Sequence, residues 1–511
     1  MRKRHKRFLL ILTVLLPLLC ILLFAKKLKH PKRFENYNVI LVFIDTLRAD
    51  RLGCYGYFRN TSPNIDKLAR TSAVFEENFS TATYTLPSFM SIITALYPSS
   101  HGVLKIFKDR LSGRVTTLAQ VLKAYGYVTV WFGPCDDPHL DTAVGFGRGF
   151  EEIYSSGDVC GLMDYRENIL GWIEKNKKEG FFLNFHTYKL HTPYMPGPEY
   201  KAKFTKIKGL SGVTENFDEY SAGSIRKVAG DKKLAIHFMG KKLYRQFISE
   251  GLLKGSDREV RDFFTARGQE NKMLNIQDYV YWADIDLKDK TTNAYIQILY
   301  DADILEYDQE VIGPLIAKLK ELGIYDKTMI VICSDHGEEF YEHGDHGHGA
   351  TFYDEVTRVP LIVHVPWIKK GRRIRELTQT VDIMPTILDL LDIPVPGQAQ
   401  GKSLKEFICG RHPLPPHEYV FGMMSTLSYI RSKDLLFVAD NDSGRNGLFD
   451  LVLDPGEKNN LNFEKCDVAA KLEFELEAFR KSLPSYRDRE YFFDPGIDKE
   501  TQEKIRKTGY W

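Results

Sequence analysis

The chain has 511 residues, 43% apolar and 13% aromatic. That is ordinary globular composition, and it excludes a mainly disordered chain, a collagen-like fibre and a polytopic membrane protein. Its 70 Lys and Arg nearly balance 68 Asp and Glu, but ten of the basic residues and no acid precede residue 35; the mildly acidic remainder gives no reason to invoke nucleic acid.

Residues 8–25 (FLLILTVLLPLLCILLFA) carry no charge, and basic residues flank them on both sides. As a helix this run rises about 27 Å, close to the thickness of a hydrocarbon core. No small-residue cleavage pattern follows it, so residues 1–34 are expected to form an uncleaved signal anchor. Charges on both flanks leave the orientation to the chemistry of the body, which is expected to be extracytoplasmic. The seven cysteines are scattered without a CxxC pair, which is neither a disulfide framework nor a zinc ribbon.

Residues 38–44 (NVILVFI) form a continuous apolar run, as expected of a strand buried on both faces. Similar runs recur at 128–132, 180–185, 328–333 and 360–364. Helix-period stretches lie between them at 64–71, 116–124, 165–175 and 294–322. The alternation predicts an α/β fold: a mainly parallel, or mixed, sheet with helices on both faces. Residues 201–289 are polar, Lys-rich and helical in pattern, and read as an insertion within a catalytic unit spanning 35–412. After the Pro-rich step at 413–416 come short strand-like runs and a helical stretch at 469–483, which predict a small C-terminal α+β subdomain over 413–511.

In such sheets ligands sit beyond the carboxyl ends of the strands, so the residues after each run are the place to look for chemistry. Asp45 and Thr46 follow the first run; Ser334, Asp335, His336 and Gly337 follow a later one. Carboxylate with imidazole suits Zn²⁺ or Mn²⁺ better than Ca²⁺ or Mg²⁺. A lone Asp after a strand is commonly an N-cap, yet His343, His346 and His348 crowd the same Gly-rich loop as His336. A third patch, 186–194 (HTYKLHTPY), offers Lys189 and His191 for binding an anion and protonating a leaving group. Thr85 precedes Leu86 and Pro87 at a predicted helix start, where a hydroxyl serves either as a cap or as a nucleophile facing an anion.

The segments 38–56, 61–68, 85–102, 334–366, 381–391 and 448–457 together resemble a sulfatase-family protein of the alkaline phosphatase superfamily, in the family's order. That resemblance implies an alkaline-phosphatase-like fold and one divalent metal ion held by Asp45, Asp335 and His336, with Thr85 as the fourth ligand. It implies that His191 and His348 act on the anion or leaving oxygen, with Lys189 and His346 as weaker substrate contacts. In sulfatases a Cys or Ser in a Cys/Ser-x-Pro-x-Arg motif becomes formylglycine; here Thr85 and Phe89 stand at the first and last of those places. Threonine has no route to formylglycine, whereas a threonine phosphoester is opened by in-line attack at phosphorus. Phosphoester chemistry through Thr85 is therefore the expectation, similar to lipoteichoic acid synthases and phosphoethanolamine transferases. The substrate is expected to be an anionic ester of a cell-envelope glycan or lipid. Two alternatives stand beside this: a true sulfatase working without formylglycine, and a non-catalytic, membrane-tethered binding protein on a sulfatase scaffold.

Overall fold

A computed structural model describes residues 37–105, 109–134, 144–155, 165–192, 194–205, 287–411, 414–424 and 426–487. The expected anchor at 8–25, most of the insertion and the C-terminal tail lie outside the described residues. Among the described residues no helix is long and apolar enough to cross a membrane.

In chain order the strands are β1 (Asn38–Ile44), β2 (Ala73–Phe75), β3 (Asn78–Phe79), β4 (Val128–Gly133), β5 (Glu152–Ser155) and β6 (Phe181–Thr187). They continue with β7 (Thr328–Cys333), β8 (Glu339–Phe340), β9 (His346–Gly347), β10 (Leu361–His364), β11 (Arg372–Ile374) and β12 (Thr378–Gln379). Eight of these make one sheet, ordered β11-β2-β10-β7-β1-β6-β4-β5. From β7 through β1, β6 and β4 to β5 every neighbour is parallel; β10 runs antiparallel to both β7 and β2. The sheet is thus mixed, with a parallel heart.

The apolar run of β1 is continuous because both of its faces are covered. Val39, Leu41 and Phe43 enter one core, with the helices Thr85–Thr94, Leu118–Ala124 and Ile383–Leu390. Ile40, Val42 and Ile44 enter the other, with Pro63–Ala69, Tyr165–Asn176 and Lys290–Tyr307. Each fully buried side chain of this kind contributes about 1.5–3 kcal/mol, so the strand is fixed in depth and register.

The long helical stretch expected over 294–322 is interrupted. After Lys290–Tyr307 comes a π-helical turn, Asp308–Ile312, and then a second helix, Gly313–Glu321. Pro314 lacks the N–H that would continue the ladder. The Asp308 carboxylate also accepts from the backbone N–H groups of Asn64 (2.9 Å) and Ile65 (2.8 Å), satisfying the start of the helix Pro63–Ala69.

A second sheet, β13 (Val420–Met423), β14 (Leu427–Arg431), β15 (Leu435–Asp440) and β16 (Gly447–Asp450), is antiparallel throughout. The helix Cys466–Ser482 covers one side of it through Leu472 and Leu476. Its other side joins the main body: Tyr429 donates to the Ser80 carbonyl at 2.7 Å, and Met423 N–H donates to the Thr81 carbonyl at 2.8 Å. The four described cysteines, 54, 333, 409 and 466, are free thiols.

Candidate active site

Register builds the site. Ile44 pairs with Thr187 and Phe43 with both His186 and Cys333, so three adjacent parallel strands end at the same rim. Asp45 leaves β1 there, its N–H donating to the Thr187 carbonyl at 3.0 Å. Asp335 and His336 leave β7 one strand away, and His186 projects from β6 on the other side. The chain turns away at Thr46 in a left-handed conformation, φ 56°, costly for a β-branched residue. The turn is pinned: Tyr300 donates to the Thr46 carbonyl (2.7 Å), and Thr46 Oγ1 donates to the Leu190 carbonyl (2.8 Å). The Thr46 hydroxyl is thereby committed to the loop that carries His191.

Thr85 is the first residue of the helix Thr85–Thr94, whose N-cap is Tyr84 with no side-chain cap bond. The capping alternative therefore does not hold. Thr85 Oγ1 instead donates to Asp45 Oδ2 at 3.1 Å and lies 3.4 Å from His336 Nε2. Phe89, one helical turn on, stands where the family pattern has arginine. It packs against Phe43, Phe146 and His186, with ring centroids 4.4, 5.2 and 5.2 Å away.

The three expected ligands Asp45, Asp335 and His336 are buried, with one ligand atom of each within 4.8 Å of the others. His336 Nδ1 donates to the Gly337 carbonyl at 2.9 Å, which fixes the tautomer and turns the Nε2 lone pair into the cluster. Burial pushes the His336 pKa down to about 3, holding the ring neutral. Asp335 Oδ1 accepts from the backbone N–H of His336 (2.9 Å) and Thr46 (3.3 Å). Asp45 Oδ2 faces Thr85 and, at 3.4 Å, His186 Nε2.

This leaves Asp45 Oδ1 and Asp335 Oδ2 buried without a hydrogen bond from any described group. Two orphaned carboxylate oxygens beside an imidazole lone pair fit a divalent cation, because burying them bare is costly. Burial, followed by the charge of Asp335, pushes the Asp45 carboxyl well above its ordinary range.

The remaining expected residues divide. His191 and His348 are brought together, ring centroids 5.0 Å apart, and His348 lies 4.2 Å from the His336 ring. His191 Nδ1 donates to the Thr192 carbonyl at 3.0 Å. Lys189 is drawn elsewhere: its ammonium lies 2.5 Å from Asp303 and 3.0 Å from Glu306, so it serves a buried ion-pair network rather than a free anion contact. The His346 ring is over a third exposed, beside Asp345. His343 stacks flat on Tyr353 at 3.5 Å and faces Glu355 at 3.4 Å.

Two contributors were not singled out from sequence. His186 reads as the end of an apolar strand, and its ring, buried against Phe43, is held neutral by desolvation. Glu338 is fully buried; desolvation raises its carboxyl to about 7. It accepts from Tyr194 at 3.0 Å and lies 3.0 Å from His348 Nδ1. The available signal was the position of Glu338 between two ligand-rich segments.

The family model described as Sulfatase matches residues 37–393, and one described as N-sulphoglucosamine sulphohydrolase, C-terminal, matches 342–482. An N-acetylglucosamine-6-O-sulfatase of Bacteroides thetaiotaomicron is 26% identical over 94% of this chain and 92% of its own length. A mouse (Mus musculus) iduronate 2-sulfatase is 24% identical over 73% of this chain and 72% of its own length. Among solved structures, one in complex with its substrate D-glucosamine-2-N,6-O-disulfate superposes with a TM-score of 0.65. It is 22% identical and covers 92% of this chain and 98% of that one. The phosphonate monoester hydrolase of Agrobacterium radiobacter gives a TM-score of 0.62 at 20% identity, over 87% of this chain and 96% of that one. With the family match spanning most of the described body, the chain belongs to the sulfatase family of enzymes.

Proposed function

We propose that the chain is a metal-dependent hydrolase of sulfate esters carried by a glycan, working without formylglycine. The observation that carries this reading is the pair of orphaned buried oxygens, Asp45 Oδ1 and Asp335 Oδ2, beside His336 Nε2 and Thr85 Oγ1. The printed names of the relatives, an N-acetylglucosamine-6-O-sulfatase and an iduronate 2-sulfatase, support a sulfated sugar as the substrate class. Asp45, Asp335, His336 and Thr85 would hold one divalent ion, with Zn²⁺ or Mn²⁺ favoured by the imidazole. That ion would supply Lewis-acid stabilisation of charge on the ester oxygens. Thr85 Oγ, aimed by its bond to Asp45 Oδ2, is the chain's nucleophile: it attacks the ester sulfur as the sugar oxygen leaves with a proton, and water attacking the same sulfur then releases sulfate and restores the Thr85 hydroxyl. His191 and His348 are the hydrogen-bonding groups for the leaving and non-bridging oxygens.

A second reading, phosphoester hydrolysis or transfer through Thr85, is favoured by one feature: a threonine with an apolar Phe89 in place of the formylglycine motif. The two separate on one preparation. Metal-loaded protein is given an N-acetylglucosamine 6-sulfate and a matched phosphodiester, and Thr85→Ala is run alongside. Release of inorganic sulfate that Thr85→Ala loses supports the first reading. Phosphoester turnover alone, with a phosphoryl adduct on Thr85, replaces it by the second. Neither activity, at any of Mn²⁺, Zn²⁺ or Ca²⁺, removes both and leaves a binding protein.

The same proposal includes an extracytoplasmic site tethered by residues 8–25, facing a cell-envelope glycan or lipid, with 35–412 as catalytic unit and 413–511 as subdomain. Carbonate extraction of the full chain and of a chain lacking residues 1–34 tests the tether; equal solubility of both would reject it.

A further inference from the structure

Two imidazoles in ring contact at the site, His336 and His348, have different partners on Nδ1. His336 Nδ1 donates to the neutral carbonyl of Gly337 at 2.9 Å, while His348 Nδ1 meets the carboxylate of Glu338 at 3.0 Å. A backbone carbonyl leaves a ring neutral and suits a ligand. A carboxylate holds a ring by its Nδ1–H more firmly and so fixes the direction in which Nε2 points.

The local fold dictates the pairing. The short antiparallel ladder of β8 and β9 pairs Glu339 with Gly347 and Phe340 with His346, which sets Glu338 opposite His348 at its end. Gly347 and Gly349, on either side of His348, take φ of 81° and 90°, a conformation that L side chains rarely adopt. Glu338 is held from its own side as well. Its N–H donates to the Glu355 carbonyl (3.0 Å), and its carbonyl accepts from Arg48 Nη1 (2.8 Å). Tyr194 donates to its second carboxylate oxygen at 3.0 Å. The Glu338 side chain is wholly buried and that of His348 is 2% exposed, so neither wanders.

We propose that Glu338 is a positioning residue: it fixes the His348 ring with Nδ1–H on its carboxylate and Nε2 aimed at the anionic group of the ester. The proposal rests on the reading of the site as an ester hydrolase. Tyr194, by occupying the other oxygen, keeps the Glu338 carboxylate from rotating away.

The test is a double-mutant cycle on the metal-loaded full chain, read with N-acetylglucosamine 6-sulfate or the phosphodiester, whichever wild type turns over. Glu338→Gln keeps shape but not charge. It is expected to lower kcat by about 10- to 100-fold, the range for removing a partner that orients a functional histidine, with KM and bound metal little changed. In a His348→Ala background the same substitution should cost less than about twofold, because its route to the substrate is gone. Equal losses in both backgrounds, or no loss of kcat in either, would overturn the proposal.

The ¹⁵N spectrum of the histidines in Zn²⁺-loaded protein reads the same claim without turnover. His348 should carry its hydrogen on Nδ1 in wild type and lose that preference in Glu338→Leu. A His348 tautomer indifferent to residue 338 would refute the proposal. If wild type hydrolyses neither ester, the hydrolase reading fails while this spectrum still decides the role of Glu338. Should Glu338→Leu not fold, Glu338→Gln is read instead for weakening of the same Nδ1 hydrogen bond.

Discussion

Asp45 should give up a proton when the ion binds. The side chain is fully buried, one oxygen has no hydrogen-bond donor, and its pKa is raised by burial and then by the charge of Asp335. Without an ion, the protonated form therefore persists above the ordinary carboxylate range, about pH 4. The sign follows: below the raised pKa the ion must displace a proton, so affinity climbs with pH, and above it affinity levels off. For one proton the slope is about tenfold per pH unit, or about 1.4 kcal/mol. Calorimetric titration of the chelated protein with Mn²⁺, in buffers of differing ionisation enthalpy, should count close to one proton released per ion on the acidic side. Asp45→Asn should release none and bind more weakly. At a hundredfold excess over Kd the ion should stabilise the fold by about 2.7 kcal/mol. A pH-independent affinity with no proton release would refute the electrostatic account of the cluster.

Lys189→Met tests the reassignment of that residue. It strips the cation from buried Asp303 and Glu306, so urea unfolding should show a loss of about 3–5 kcal/mol, with KM for the ester unchanged; a raised KM at unaltered stability would restore Lys189 to the substrate. His101 tests burial. Its Nε2 lies 3.2 Å from the Pro87 carbonyl, its Nδ1 accepts from Val103 at 3.0 Å, and burial lowers its pKa to about 3. The unfolded ring takes a proton near pH 6.5, so the stability His101 supplies is present above that pH and is lost as pH falls towards 3. The stability difference between wild type and His101→Gln should shrink by about 1.4 kcal/mol per pH unit below 6; a constant difference from pH 7 to pH 4 would contradict it.

Much of the architecture was legible because the parallel heart of the sheet is buried on both faces. Runs such as NVILVFI carry no alternation to confuse with an edge strand, and the proposed ligands come straight after them. Asp45, Asp335 and His336 could be read from that rule and from the family's motif wording. Other features depend on contacts between distant segments, which periodicity does not encode. The π-helical turn at Asp308 answers to Asn64 and Ile65 across the chain. Thr46 follows Asp45 at the strand end, yet its hydroxyl is taken by the Leu190 carbonyl. Lys189 looked like a cation for the substrate until Asp303 and Glu306 were found around it. Glu338 and His186 are single polar residues beside apolar strands, and only the fold shows that both face the histidine cluster.

Anomalous diffraction from crystals grown with Mn²⁺ tests the central claim most directly. The account predicts a peak bonded to Asp45 Oδ1, Asp335 Oδ2 and His336 Nε2, with Thr85 Oγ1 in the coordination sphere. A fully loaded, active protein with no peak there, its ion held instead by His343, Glu355 and Glu457, would contradict it.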